Sequence, residues 1–101
     1  PDADGLVNRI QAVSKAYGHR PVWLTEFAVG DWDAKAREQN RHKPEQVLAF
    51  MRKVLPKLEA LECLERYAWF PASEANAALG CSALLDSAGK LTALGEHYRS
   101  V

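Results

Sequence analysis

The stretch VWLTEFAVGDW, residues 22–32, decides the fold class of this chain. Residues 22–28 form an apolar run that contains a single carboxylate, Glu26. A strand without clean polar alternation is typical of a parallel strand covered on both faces. Because burying an unpaired carboxylate is costly, the position of Glu26 near the far end of such a strand requires an explanation.

Apolar periodicity and end signals predict the elements around this strand. The predicted elements are helix 4–17, strand 22–28, helix 44–61, strand 64–70 and a final helix after the N-cap Thr92. Asp4 is the predicted N-cap of the first helix, and Gly18 lies just past its end. Pro44 suits the first position of the second helix, whereas Pro56 is expected to kink that helix or split it in two.

The predicted order is α-β-α-β-α, which indicates parallel strands joined by helical crossovers. Two buried strands cannot cover their own edges, so each needs neighbours. A (β/α)8 barrel takes about 250 residues, far more than the 101 present. We therefore expect the chain to be an incomplete piece of a larger α/β sheet or barrel.

The charge and composition of the chain argue against several classes of function. Lys and Arg together number 13, as do Asp and Glu, so there is no electrostatic case for nucleic acid or an acidic membrane surface. The sequence shows neither an apolar transmembrane run nor a signal-peptide pattern. The histidines lack metal-ligand spacing. Cys63 and Cys81 are interpreted as two unrelated small core residues, with a single disulfide as the alternative.

Two residues at strand ends are the main candidates for function. In parallel α/β folds, ligands bind at the carboxyl ends of the strands, where Glu26 ends the first strand and Trp69 the second. Strict alternation places Glu26 on the same face as Leu24, and Tyr67 on the same face as Trp69. Glu26 and Trp69 are therefore expected to converge. A carboxylate beside an indole ring suits sugar chemistry, in which the ring stacks on the pyranose.

Each candidate has a simpler interpretation. Glu26 is alternatively paired with Arg66 or Arg20, or solvated at the strand end, and Trp69 is alternatively a core residue. Trp32, in the loop after the first strand, is a second candidate sugar platform or a loop anchor. Further polar residues of the loops are interpreted as capping, turn or solvated residues. These residues are Asp31, Asp33, Glu74 and Asn76.

Three segments, VWLTEFAV, ERYAWF and SALLDSAGKLTALGEHY, resemble the last part of glycoside hydrolase family 128, the asl-type glycosyl hydrolase catalytic domain. The resemblance implies that residues 1–101 are a partial catalytic domain containing strands seven and eight of a (β/α)8 barrel. It also implies a retaining endo-β-1,3-glucanase in which Glu26 is the nucleophile and Trp69 forms the floor of the sugar site. Tyr67 and Trp32 complete the expected substrate-binding set.

The chain departs from this family in lacking strand four, which carries the acid/base Glu. A retaining mechanism needs two carboxyls about 5–5.5 Å apart, and Asp31 and Glu74 are the only nearby candidates. We therefore expect the chain to act only within a complete barrel, on β-glucan, without metal or organic cofactor, and in a secreted protein. The alternatives are a non-catalytic carbohydrate-binding or interaction module and an unrelated small α/β domain.

Overall fold

The computed structural model describes residues 1–101 and contains three helices and two parallel strands. Their bounds are α1 Ala3–Ala16, β1 Val22–Phe27, α2 Pro44–Glu59, β2 Leu64–Trp69 and α3 Ala93–Ser100. Two short 3-10 turns, Arg37–Gln39 and Gly80–Ser82, lie in the loops that follow β1 and β2. The predicted order of elements is confirmed, and the ends of the first four elements lie within two residues of their predicted positions.

The helix ends follow the residues that stabilise them. Asp2, not the predicted Asp4, caps α1 by accepting a hydrogen bond from the Gly5 N–H at 2.9 Å. Gly18 follows α1 with φ of 77°, a conformation that glycine adopts without a steric penalty. The predicted N-cap Thr92 is confirmed, since its hydroxyl accepts from the N–H of Gly95 at 3.1 Å.

Of the two outcomes expected for Pro56, a kink or a division of the helix, the division is wrong. The helix runs without interruption from Pro44 to Glu59. Pro56 is exposed and lies in the last turn of α2, where the hydrogen bond lost with its N–H does not prevent the helix from continuing to Glu59. Its carbonyl still accepts from the N–H of Ala60 at 3.1 Å, which closes the last turn.

The sheet has one covered face and one bare face. The apolar side of α2 packs on the covered face and supplies the most deeply buried side chains of the core, which are Val47, Met51, Val54, Leu55 and Leu58. On the bare face Trp23 remains 59% exposed. β1 and β2 pair only with each other, so both outer edges of the sheet are also unpaired. None of the three helices has the length and apolar character needed to cross a membrane.

Irregular pairing turns Glu26 toward the bare face. Leu24 pairs with Tyr67 and Phe27 pairs with Trp69, so three steps along β1 match two steps along β2. β1 thus carries one extra residue, and Leu24 and Phe27 both pack against the core. The expectation that Glu26 shares a face with Leu24 is wrong, because this bulge breaks the alternation on which it rested.

Candidate active site

Glu26 lies at the carboxyl end of β1 on the bare face and is exposed. Its carboxylate forms no salt bridge and accepts no hydrogen bond. Pairing with Arg20 or Arg66 is therefore wrong, and the guanidinium of Arg66 instead lies 5.8 Å from the centre of the Trp23 ring. Of the simpler interpretations of Glu26, the solvated carboxylate describes the structure.

An open depression of about 210 Å³ lies beside Glu26. Its lining includes Glu26, Phe27 and two exposed aromatic residues, namely Trp32 from the loop after β1 and Phe70 directly after β2. Trp32 is 77% exposed and Phe70 is 41% exposed. The expected combination of a carboxylate and aromatic rings is therefore present, but Trp69 does not provide the rings. The sequence places Phe70 with Trp69 at the carboxyl end of the predicted strand 64–70, and that position is the signal for it.

Trp69 is a core residue, and the expectation that it converges with Glu26 is wrong. Its side chain is 6% exposed and packs between Phe27 and Phe50, with ring centroids 5.0 Å and 6.4 Å away. Its indole Nε1 donates a hydrogen bond to the carbonyl of Ser82 at 2.7 Å. The bulge in β1 explains why Glu26 and Trp69 are separated. It leaves the side chain of Glu26 on the bare face of the sheet, whereas that of Trp69 lies on the helix side.

Tyr67 also lies on the helix side of the sheet, away from the depression. Its ring meets Phe27 and Tyr98 edge-on, at centroid distances of 6.1 Å and 6.4 Å. Its hydroxyl donates to the carboxylate of Glu59 on α2. Desolvation, together with this hydrogen bond, raises the pKa of Tyr67 well above its usual value. Tyr67 therefore packs as a neutral phenol and does not reach the carboxylate of Glu26.

Asp31 fixes the loop that carries Trp32. Its buried carboxylate accepts from the backbone N–H of Arg41 at 3.0 Å and from that of Asp33 at 3.2 Å. The hydrogen bond from Arg41 is the main cause of a lowered pKa for Asp31, against an opposing effect of burial. The buried amide of Asn40 adds a second tie by donating to the Ala78 carbonyl at 2.9 Å. The turn interpretation of Asp31 is confirmed.

The carboxylate of Glu74 is also held by hydrogen bonds. It accepts from Arg37 at 2.6 Å and from the N–H of Ser87 at 2.9 Å, and the pKa of Glu74 is lowered chiefly by Arg37. Asn76 is a turn residue whose side-chain oxygen accepts from the N–H groups of Ala78 and Leu79. A catalytic proton donor needs a raised pKa. Glu74, like Asp31, therefore does not suit that role.

Ser82 joins the two strand ends, and nothing in the sequence pointed to it. Its buried hydroxyl contacts Val29, 53 positions away, so no local spacing connects the two residues. Cys81, next to it, is buried, which raises the pKa of its thiol. Cys63 is partly buried, and both cysteines are free thiols, in agreement with their interpretation as separate core residues.

Comparison of the sequence with protein families identifies a match over nearly the whole chain. The family described as the glycosyl hydrolase catalytic core matches residues 1–98. Alkali-sensitive linkage protein 1 of Schizosaccharomyces pombe is 40% identical over 82 residues, which are 79% of this chain and 15% of that protein.

Solved structures of similar fold are β-1,3-glucanases of family GH128. A subgroup I endo-β-1,3-glucanase from Amycolatopsis mediterranei, in complex with laminarihexaose, is 28% identical with a TM-score of 0.77. The match covers 98% of this chain and 38% of that enzyme. A subgroup V exo-β-1,3-glucanase from Cryptococcus neoformans is 26% identical with a TM-score of 0.76, over 96% of this chain and 39% of that enzyme.

The chain thus spans less than two fifths of the length of these enzymes. This share agrees with the bare sheet face and the unpaired strand edges, which a complete barrel would cover. The chain belongs to the glycosyl hydrolase catalytic core family, and its fold is part of a (β/α)8 barrel of the GH128 type.

Proposed function

We propose that this chain is part of a retaining glycoside hydrolase that acts on β-1,3-glucan, with Glu26 as the nucleophile. Residues 1–101 would form the part of the catalytic domain that contains strands seven and eight. The observation that carries the proposal is the setting of Glu26, an unpaired carboxylate beside two exposed aromatic rings. Secretion follows as an expectation from a polysaccharide substrate.

The nucleophile in this mechanism is a carboxylate that can reach the anomeric carbon. Attack forms a covalent glycosyl ester and releases the leaving group, after which water hydrolyses the ester. Glu26 suits the role because its oxygens are not held by a cation or a hydrogen-bond donor, and because it faces the open depression. A carboxylate engaged like that of Glu74 would have to break its existing bonds before attack.

The proton donor of the reaction would come from another strand of the complete barrel. A retaining enzyme places its two carboxyls about 5–5.5 Å apart, and the donor has a raised pKa. Asp31 and Glu74 do not suit this role, because each carboxylate already accepts two hydrogen bonds and the pKa of each is lowered. By resemblance, the donor is expected on strand four of the barrel.

The aromatic residues suggest how the sugar would be held. We assign sugar contact to Trp32 and Phe70, because both are exposed beside Glu26 and aromatic faces stack on pyranose rings. Trp69 and Tyr67 would pack in the core rather than contact the sugar, since both side chains lie on the helix side of the sheet. The structure of the Amycolatopsis enzyme holds laminarihexaose, which supports β-1,3-glucan as the substrate class.

Replacement of Glu26 tests the proposal. In the complete barrel protein, Glu26→Gln keeps the size of the side chain but removes the charge that attacks. We expect hydrolysis of laminarin to fall by at least about a thousandfold. Glu62→Gln is the matched control, because Glu62 is exposed at the opposite end of β2. Turnover retained in Glu26→Gln would remove Glu26 from the nucleophile role.

A non-catalytic carbohydrate-binding module is the second candidate. The observation in its favour is the exposure of Trp32 and Phe70, because binding requires only the aromatic platform. Titration of laminari-oligosaccharides into the complete barrel protein, followed by tryptophan fluorescence and by product analysis, separates the two candidates. Quenching without any hydrolysis would favour the binding module.

A further inference from the structure

The backbone around Glu26 needs support beyond the strand ladder. A catalytic side chain must be held within about 0.5 Å of its productive position. The bulge between Leu24 and Phe27 interrupts regular pairing at Glu26 itself. The ladder then makes one more bond, from the N–H of Phe70 to the carbonyl of Phe27 at 3.0 Å, before the strands separate. Beyond this point the chain after Glu26 must be fixed by other contacts.

Ser82 supplies that contact through a single hydroxyl. Its Oγ donates to the carbonyl of Val29 at 2.6 Å and accepts from the N–H of the same residue at 3.0 Å. A hydroxyl has one donor and two acceptor positions, so it can satisfy both backbone groups at once. Ser82 is fully buried and Val29 is 6% exposed, so water does not compete for these bonds. The contact replaces the missing strand partner three residues after Glu26.

Trp69 connects the same serine to the end of β2. Its Nε1 donates to the carbonyl of Ser82 at 2.7 Å, and its backbone N–H donates to the hydroxyl of Tyr98 at 3.2 Å. Its ring also meets Phe27, the residue next to Glu26, at 5.0 Å between centroids. Trp69 therefore touches the residue directly after Glu26 and holds the serine that binds Val29.

We infer that Ser82, Val29 and Trp69 form a clamp that positions Glu26 for attack, with Ser82 and Trp69 as positioning residues rather than sugar contacts. This inference rests on the proposed function. The clamp acts through residues 27 and 29, on both sides of Ala28, and so limits movement of the strand end. Loss of the clamp lowers the rate of the chemical step more than the affinity for substrate, because sugar contact is assigned to Trp32 and Phe70.

The test uses Ser82→Ala and Trp69→Phe in the complete barrel protein, with kinetics on laminarihexaose. Ser82→Ala removes both hydrogen bonds between the serine hydroxyl and Val29, and Trp69→Phe removes the bond from the indole to the Ser82 carbonyl. The matched controls are Ser100→Ala, which loses an exposed hydroxyl bond to His97, and Trp23→Phe, which loses an indole bond to Glu65. Deuterium uptake of the peptide spanning residues 27–31 reports the clamp directly, and rates are normalised to the folded fraction.

We expect Ser82→Ala to speed exchange at Val29 and to lower kcat by about 10-fold to 100-fold, with KM changed less than about threefold. Trp69→Phe is expected to change exchange at Val29 and kcat in the same direction as Ser82→Ala. Both controls leave exchange and kcat unchanged. A normal kcat in both clamp variants, or unchanged exchange at Val29, overturns the clamp alone. A wild-type protein that hydrolyses no β-1,3-glucan overturns the proposed function, and the catalytic role of the clamp with it.

Discussion

The ring of Phe27 meets that of Trp69 edge-on, with centroids 5.0 Å apart and ring planes at 77°. The two residues are partners at the last paired position of the parallel strands. Their contact keeps Phe27 on the helix side, so the preceding residue, Glu26, faces away from the helices. The same contact gives Trp69 a role in the core that can be measured separately from sugar binding.

Trp69→Ala should destabilise the protein strongly. The substitution leaves a large cavity between Phe27 and Phe50, and the expected loss of unfolding free energy is about 3–5 kcal/mol. Trp32→Ala, at an exposed tryptophan, should change stability by no more than about 0.5 kcal/mol. Urea denaturation of both variants measures the difference. Equal stability losses would contradict the assignment of Trp69 to the core.

Ser82→Ala should destabilise by about 1–3 kcal/mol, because it leaves the buried N–H of Val29 without a partner and its carbonyl with only the weak thiol donor of Cys81. Ser100→Ala removes a hydroxyl bond at an exposed position and should have little effect. Thermal and urea unfolding measure both variants. If Ser82→Ala loses no more stability than Ser100→Ala, the hydroxyl of Ser82 does not stabilise the end of β1.

Asp31 should make stability sensitive to acid. The pKa of Asp31 in the folded protein lies below its ordinary value, mainly because of the hydrogen bond from the backbone N–H of Arg41. The corresponding stabilisation is fully present above the unfolded pKa and is lost as the pH falls through the lower folded pKa. Asp31→Asn should therefore lower the free energy of unfolding at neutral pH. That free energy should also fall less steeply with decreasing pH than it does in the wild-type protein.

Unfolding of wild-type protein and Asp31→Asn between about pH 6 and pH 2 tests this linkage. Asp33→Asn is the control, because it removes a neighbouring carboxylate that accepts no hydrogen bond. Parallel pH profiles for the wild type and Asp31→Asn would show that the carboxylate of Asp31 does not anchor the loop.

Trp32→Ala should weaken glucan binding without unfolding the protein. The ring is 77% exposed and lines the depression that contains Glu26. Loss of one stacking ring should raise the dissociation constant for laminarihexaose by about 10-fold, whereas Trp23→Phe should leave it unchanged. Calorimetric titration measures both variants. An unchanged affinity in Trp32→Ala would remove this tryptophan from the sugar site.

Local signals in the sequence predicted the elements of the fold well. Apolar periodicity indicated the helices, and the mainly apolar run of residues 22–28, without clean polar alternation, indicated a parallel strand. Thr92 and Gly18 marked helix ends because capping depends on residues a few positions away. Two predictions at element level failed, the N-cap at Asp4 and the split at Pro56, and the second failed because the position of a proline within a helix determines how much it disrupts.

The arrangement of the site was harder to predict, for two physical reasons. A bulge shifts every later side chain in a strand to the opposite face, and nothing in VWLTEF marks the extra residue that moves Glu26 away from Leu24. The clamp depends on a contact between Ser82 and Val29 across 53 positions, which only the folded chain brings together. Glu26 and Trp32 could be chosen from their positions at the strand end and in the loop after it, but the separation of Glu26 from Trp69 could not be predicted.

Covalent trapping tests the role of Glu26 most directly. The complete barrel protein is treated with a 2-deoxy-2-fluoro laminaribioside carrying a good leaving group, which slows hydrolysis of a glycosyl ester, and is then digested for mass spectrometry. If Glu26 is the nucleophile, the sugar adduct lies on Glu26, and the Glu26→Gln variant carries none. An adduct on another carboxylate, or rapid turnover of laminarin by the Glu26→Gln variant, would contradict the proposed mechanism.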